Sequence, residues 1–347
     1  MSASVLARYG FSGRAQMTPL EGGLINGTYR VEEAGRRVVL QRLHAIFAPT
    51  VNLDIQAITD HLAAQGLNTQ RVIPTEDGAL WVIDEQGATW RMLSWLEGHT
   101  VSVIERPAQA YSAARWVARF HGALRDFTHR FHFTRPGAHD TPLHLSKLEA
   151  ALCAHKAHAN YDEAASLAAE ILSRARALPA LPKEPLRIVH GDLKISNVLF
   201  QQDEAIALLD LDTMAELTIP IELGDALRSW CNPSGEDATR AEVRLDVFEA
   251  ALTGYAEDAR WLTVEEREAL VLGFETISLE LAARFCADAL NESYFGWNPK
   301  KFASRSLHNL ARAESQLSLA TSVAKHRPAL EQIVRARFAG HASPARG

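Results

Sequence analysis

The sequence predicts an α+β chain in two lobes, a small β-rich N-terminal lobe over residues 1–97 and a larger, mainly helical C-terminal lobe over residues 98–338. Three observations predict it. From Met17 to about Glu97, apolar residues fall into short runs separated by glycine and polar turns, the pattern of half-buried strands. After Pro107 they recur at helical spacing. Within that helical part the stretch from Ile188 to Thr213, IVHGDLKISNVLFQQDEAIALLDLDT, returns to short apolar runs ended by polar residues.

Composition narrows the class further. With 347 residues, 47% of them hydrophobic, the chain can bury a substantial core. A net charge of −6 without runs of like charge argues against nucleic acid or a membrane surface as partner. Cys153, Cys231 and Cys286 lack CxxC or CxxH spacing, so they indicate neither a disulfide framework nor a zinc site, and a reducing cytoplasm suits them. Met1 to Arg14 lacks the apolar stretch of a signal peptide, and nowhere do about 18 apolar residues run together to span a bilayer. Residues 339–347 are expected to form a disordered tail.

The N-terminal elements begin at a turn. Gly22, Gly23 and Gly27 lie within six residues, just before an alternating strand through Thr28 to Val31, and Val38 to Leu43 follows as a second strand. Glycines there let backbone amides approach an anion with no Cβ in the way, although most such pairs are simple turns. Ile55, Ile58 and Leu62 give Asn52 to Gln65 a helical period, and Gly66 is placed to end that helix. Asp54 is expected on its surface, with pairing to a strand cation as the alternative. Ala79 to Ile83 and Ala88 to Leu96 read as a strand hairpin, broken at Glu97-Gly98-His99, where the lobe boundary is placed. Met92 and Trp95 near its end suit either core packing or the cover of a flat ligand ring.

The C-terminal elements are helices around one exception. Tyr111, Ala114, Val117, Ala118 and Leu124 mark a buried helix over Ala108 to Phe127, with His121 as a core histidine. Leu145 to Leu178 holds one or two helices; Ala241 to Tyr255, Thr263 to Leu290 and Ala303 to Phe338 hold more. Between them Leu186 to Val189, Asn197 to Phe200 and Ile206 to Leu211 read as three strands, the last two joined by a polar turn at Gln201 to Glu204. This layout sets Asp192 beside Asn197 and brings Asp210 back towards them. Phosphoryl transfer needs a carboxylate to receive a hydroxyl proton and oxygen ligands that hold magnesium on nucleotide phosphates, and these residues supply both. Asp and Asn at strand ends are commonly turn formers, so it is the combination that carries the reading.

His190-Gly191-Asp192-Leu193-Lys194-Ile195-Ser196-Asn197, followed by Asp210-Leu211-Asp212, resembles the catalytic segment of protein kinases and of the small-molecule kinases that share their fold. Across most of its length the chain is similar to the aminoglycoside phosphotransferase and choline kinase superfamily. Gly23 to Tyr29, Val39 to Arg42, Trp90-Arg91, Gly224 to Arg228, and Arg284-Phe285 through Tyr294-Phe295 to His308 to Ala313 resemble in particular the N-acetylhexosamine 1-kinases. That resemblance implies a protein-kinase-like bilobal fold that uses ATP and Mg2+, with the nucleotide between Gly22 and Asp210, and a small-molecule acceptor, foremost the anomeric hydroxyl of an N-acetylated hexose.

Carried over, the resemblance makes Asp192 the base, Lys194 a contact of the transferred phosphoryl group, and Asn197 and Asp210 the metal ligands, with Asp212 supporting a second metal or the loop. Gly22, Gly23, Asn26, Thr28, Arg42, Met92 and Trp95 fall to the nucleotide. The strand Lys of kinases is missing, leaving Gln41 and Arg42, of which Arg42 is preferred for its charge. Asp225, Arg228, Arg284 and Tyr294 fall to the acceptor, with an Arg284–Asp288 ion pair as the alternative for Arg284. Leu24 stands where the sugar kinases carry His, and Glu222 where they carry Asp. An aminoglycoside, choline or homoserine kinase is the neighbouring reading, and a nucleotide-binding pseudokinase the one outside enzymes.

Overall fold

The computed structural model describes residues 3–20, 26–235, 237 and 240–339, so Gly22, Gly23, Leu24 and the tail from residue 340 lie outside the described residues. The described residues form two compact units. Met1–His99, Asp126–Thr134 and Ile206–Thr213 make up the first; Thr100–Arg125, Arg135–Ala205 and Met214–Gly347 make up the second.

The first unit is built on an antiparallel sheet. After helix α1 (Ala3–Arg8) come β1 (Gln16–Pro19), β2 (Gly27–Glu33) and β3 (Arg36–Arg42), then helix α2 (Val51–Ala64) and strands β4 (Val72–Ile73), β5 (Val82–Ile83) and β6 (Thr89–Ser94). The strand order is β1-β2-β3-β6-β4, with β5 also pairing β6. Register pairs Leu40 with Met92 and Gln41 with Arg91. Because side chains alternate along a strand, each pair faces opposite to the next. Leu40 and Met92 join Val5, Tyr9, Phe11, Val31 and Trp90 in an apolar core, where each fully buried side chain contributes about 1.5–3 kcal/mol. Gln41 and Arg91 look out from the other face. Helix α2 ends as its sequence signals: Gly66 takes φ +77° and Leu67 N–H closes on Leu62 O at 2.9 Å.

The second unit is mainly helical. It holds α3 (Pro107–Leu124), α4 (Thr141–Ala154), α5 (Tyr161–Ala177), β7 (Arg187–Val189) and β8 (Val198–Gln201); β9 (Glu204–Leu208) starts here and runs into the first unit. There follow β10 (Ala215–Leu217), α6 (Ile219–Trp230), α7 (Leu245–Asp258), α8 (Val264–Glu268), α9 (Leu270–Asn291) and α10 (Arg305–Phe338). Helix α9 is the hub, buried along nearly its whole length against α4, α5, α6 and α10. Backbone meets backbone between α6 and α9: a Cβ on Gly273 would stand 2.1 Å from Pro220 O, and one on Gly224 2.6 Å from Gly273 O.

The hairpin expected between the last two runs of the central stretch is present as β8 paired with β9, while β7 pairs the three-residue strand β10, which is not expected from the sequence, in a separate antiparallel ladder. The last apolar run stops pairing at Leu208, and Asp210 then takes a left-handed φ of 61°, uncommon for a residue with a Cβ. The helix expected over Thr263 to Leu290 starts as expected, where Thr263 and Glu266 form a reciprocal cap, but it is divided at Ala269 into the short helix α8 and the long helix α9. No helix among the described residues is long and apolar enough to cross a membrane.

Candidate active site

Strand β7 delivers His190-Gly191-Asp192 into a loop held by a buried acid. Glu222, on the first turn of α6, accepts the N–H groups of His190 and Gly191 at 2.9 Å each, one per carboxylate oxygen. Burial pushes its carboxyl up, but the His121 contact, the charges of His121 and His190 and the Gly191 bond outweigh that, and its pKa is lowered. Each such bond to a charged acceptor contributes about 1.5–3 kcal/mol. Sequence reasoning noted Glu222 only as a lengthened acid; the extra methylene is on a side chain that spans two successive amides.

Asp192 follows. Its Oδ2 accepts from Lys194 Nζ at 2.6 Å and from Asn197 Nδ2 at 3.0 Å, and Asn197 Nδ2 also donates to the Asp192 carbonyl at 2.8 Å. These bonds use the amide nitrogen of Asn197 and leave its oxygen as the available ligand atom. Burial raises the Asp192 pKa, but the Lys194 ammonium, with help from His190 and Arg228, brings it down to about 2. The carboxylate is therefore ionised at neutral pH. A short 3-10 turn over Ile195–Asn197 keeps the three side chains together, and Ser229 Oγ on α6 accepts Ile195 N–H at 3.0 Å.

Next to this loop lies a cluster that sequence reasoning missed in part. His139 Nε2 is 3.4 Å from Gly191 O and its Nδ1 3.3 Å from Glu280 Oε1, while Thr141 Oγ1 donates to Glu280 Oε2 at 2.7 Å. Glu280 lies on α9, one turn from Arg284 at 3.8 Å. The alternative Arg284–Asp288 pair does not form. Asp288 instead accepts the N–H groups of Ser293, Tyr294 and Phe295 together with Asn309 Nδ2, and so caps the turn after α9. On α6, Asp225 Oδ1 binds Arg228 at 2.8–2.9 Å, and its Oδ2 is buried with no hydrogen-bond partner. Tyr294 is half-exposed and its hydroxyl accepts from Arg135 Nη2 at 3.0 Å. His139 and Thr141 gave no signal because one sits in the irregular approach to α4 and the other is its first residue, where no period sets a face.

In the first unit the expected nucleotide residues meet a buried ion pair. Arg91, 1% exposed, donates from Nη1 and Nη2 to the two oxygens of Asp212, from Nε and Nη2 to Gln41 Oε1 at 2.9 and 2.6 Å, and from Nη1 to Asn52 Oδ1 at 3.3 Å. All five guanidinium N–H groups find acceptors. Asp212 Oδ2 also accepts Asn26 Nδ2 at 2.7 Å, so both carboxylate oxygens are bonded within the first unit. Asn26 uses its other atom on His44 N–H at 2.9 Å, and Thr28 Oγ1 accepts Gln41 Nε2 at 3.2 Å. These two side chains brace the network.

Strand alternation puts Gln41 and Arg42 on opposite faces of β3. Arg42 is exposed on the Leu40 side of β3, near Asp84, whereas Gln41 and Arg91 share the opposite face with Asp212. Met92 follows the core-packing alternative, being fully buried in the apolar core on the Arg42 side. Trp95 keeps a buried indole N–H without a partner, and Arg37 stands 5.4 Å over its ring. Asp54 is buried, not on the surface, and meets His129 and His132 rather than a strand cation. Arg91 was visible in the sequence as a lone charge inside an apolar strand, a residue that must find an acid when buried.

Over 176 residues the chain is 30% identical to a homoserine kinase of Allorhizobium ampelinum, covering 49% of this chain and 50% of that one. It is 30% identical over 202 residues to a homoserine kinase of Methylobacterium nodulans, covering 56% and 58%. The chain thus spans about half the length of the curated relatives it matches. Among solved structures it is similar to a microcompartment-associated aminopropanol kinase, with TM-score 0.63, 17% identity and 94% and 97% of the two chains covered. It is also similar to the amicoumacin kinase hAmiN, solved in complex with AMP-PNP, Ca2+ and Ami, with TM-score 0.61, 15% identity and 92% and 96% coverage. At those identities the likeness shows a protein-kinase-like fold. The model of the phosphotransferase enzyme family matches residues 16–261, taking in both the Arg91–Asp212 network and the Asp192 loop, and on that match the chain belongs to this family.

Proposed function

We propose that the chain transfers the γ-phosphoryl group of ATP to a hydroxyl of a small polar acceptor. The observation that carries this is the Asp192 carboxylate, ionised, held by Lys194 and Asn197 and mounted on a loop that Glu222 fixes through two backbone amides. Asp192 orients the acceptor hydroxyl and takes its proton as oxygen bonds to phosphorus and ADP leaves. Lys194 is placed to turn from Asp192 to the transferred group, and losing that cation raises the basicity of Asp192 when a proton must be accepted. Asn197 and Asp210 supply hard oxygen donors that suit Mg2+, which when bound neutralises phosphate charge. Gly22 and Gly23 would line the phosphates, and Trp95 is the remaining candidate beside the base.

On the acceptor side, Asp225, Arg228, Arg284 and Tyr294 are joined by His139 and Glu280. The buried, unpartnered Asp225 Oδ2 supports an acceptor that brings an O–H or N–H donor. The anomeric hydroxyl of an N-acetylated hexose is the first reading, on the motifs from Gly224 to Arg228 and around Arg284 and Tyr294. A small amino alcohol such as homoserine is the second, favoured by the curated relatives and by the acids Asp225 and Glu280, which suit an ammonium group.

The test is ADP release from ATP and Mg2+ with N-acetylhexosamines, plain hexoses, aminoglycosides, choline and homoserine, beside Asp192→Asn. A stimulating acceptor together with a loss of about 10²–10⁴-fold in the variant supports the reading. Stimulation by a hexosamine, with phosphorus NMR locating the phosphate on the anomeric carbon, selects the sugar kinase; stimulation by an amine alone selects the second reading. ATP binding with no stimulated release would leave a nucleotide-binding pseudokinase.

A further inference from the structure

Asp54 on α2 faces two imidazoles from the segment Asp126–Thr134. Its Oδ1 lies 2.8 Å from His129 Nε2, 3.0 Å from His132 Nδ1 and 2.9 Å from the His132 backbone N–H, while Oδ2 accepts only Phe133 N–H among these neighbours, at 3.0 Å. Three donors thus converge on one carboxylate oxygen, which has two lone pairs. We propose that Asp54, His129 and His132 form a binding site for a zinc-class transition metal ion, which replaces the two imidazole protons on that oxygen.

The donor chemistry selects the ion. Two imidazole nitrogens and one carboxylate oxygen suit Zn2+ and its first-row neighbours, whereas Mg2+ and Ca2+ take oxygen ligands. The three ligand atoms already lie within 4.8 Å of one another. Tetrahedral bonds of about 2.1 Å need ligand atoms about 3.4 Å apart, so each imidazole has to retreat by roughly half an ångström. His132, half-exposed, is free to make that move, and its open side leaves room for water as fourth ligand. Each neutral imidazole offers a lone pair by carrying its proton on the other ring nitrogen. Outer contacts hold the ligands in place: Phe133 N–H fixes Asp54 Oδ2, and the His129 ring lies parallel to Phe127 with centroids 6.0 Å apart. The ion would clip segment 126–134 to α2 inside the first unit, independently of phosphoryl transfer.

The test uses tag-free, chelator-treated protein held in excess Mg2+, so that carboxylate sites elsewhere are occupied. It is titrated with Zn2+ and, separately, with Co2+ read by visible d–d absorption. One equivalent of either metal binds the unaltered protein, with tetrahedral Co2+ absorption. His132→Asn weakens Zn2+ binding at least ~100-fold, beyond what loss of an outer-shell partner costs, and His129→Gln/His132→Asn abolishes it. His132 is half-exposed, so its single variant carries the test if the double variant does not fold. Absence of an equimolar site, or affinity unchanged in His132→Asn, would overturn the proposal and leave Asp54 as a hydrogen-bonded brace.

Discussion

Replacing Arg91 by Met removes the guanidinium and keeps an apolar side chain of comparable length. Arg91 and Asp212 are 1% and 0% exposed, so the Asp212 carboxylate would stay buried with only Asn26 Nδ2 to balance it. Gln41 Oε1 and Asn52 Oδ1 lose their Arg91 donors in the same step. Breaking one side of a buried pair costs about 3–5 kcal/mol, a large share of the roughly 5–15 kcal/mol that holds a domain together. The unfolding midpoint should fall by roughly 4–7 °C, since an unfolding entropy of about 2.1 cal/mol/K per residue over 347 residues gives about 1.4 °C per kcal/mol. Arg91→Met/Asp212→Asn removes the stranded charge and should recover about 2 kcal/mol or more of that loss. Calorimetry and urea titration of wild type, both single variants and the double variant give the coupling directly. A loss under ~1 kcal/mol in Arg91→Met, or strict additivity in the double variant, would refute the claim that this pair is a closed electrostatic unit.

Glu222→Gln turns an amide N–H2 against one of the two backbone donors; stability should fall by about 1–3 kcal/mol and kcat by up to ~100-fold with little change in KM, measured by ADP release. An unchanged kcat would separate Glu222 from the placement of Asp192. His139 is pulled down by burial but carried above its ordinary 6.5 by Glu280 and Asp225, while Glu280, pushed up by burial, is held below its ordinary 4.5 chiefly by His139. The His139 contribution is therefore complete below pH 6.5 and lost as pH rises through its folded value; that of Glu280 is complete above 4.5 and lost as pH falls. Unfolding midpoints of wild type and His139→Gln should converge towards alkaline pH, and a gap constant from pH 5 to about 9 contradicts the pairing. Gly273→Ala places a Cβ 2.1 Å from Pro220 O and should cost about 3 kcal/mol, whereas Gly13→Ala, with nothing within 4 Å, should stay within ~0.5 kcal/mol. Equal midpoints for the two glycine variants would show that α6 and α9 yield easily.

What the sequence made legible were features with a period or a cap. Strands β2, β3, β5 and β6, the C-terminal end of α2 and the Asp192 loop follow from alternation, Gly66 and the apolar run before His190, whereas β1 and β4 are not read from the sequence. Alternation also puts Gln41 and Arg42 on opposite faces, but it does not say which face meets the acid; that depends on Arg91, a neighbour 50 residues away. Strand β10 is three residues long, too short to show a period. Asp54 reads as a helix-surface acid because its partners arrive from a segment 75 or more residues later. His139 and Glu280 are 141 residues apart and meet only through tertiary packing.

The glycine seam between α6 and α9 bears on how this enzyme family's acceptor side can vary. Asp225 and Arg228 sit on one of these helices, Glu280 and Arg284 on the other, and the two meet at Gly224, Gly273 and Pro220 through backbone atoms. The separation of the helices is thus set by groups every residue carries, not by the side chains that would face an acceptor. Substitution at 225, 228, 280 or 284 changes charge, reach and hydrogen bonding while the seam keeps the Cα frame. The scaffold behaves as a fixed jig with exchangeable teeth: if those four positions face the acceptor as proposed, a library there would sample recognition without sampling new backbones.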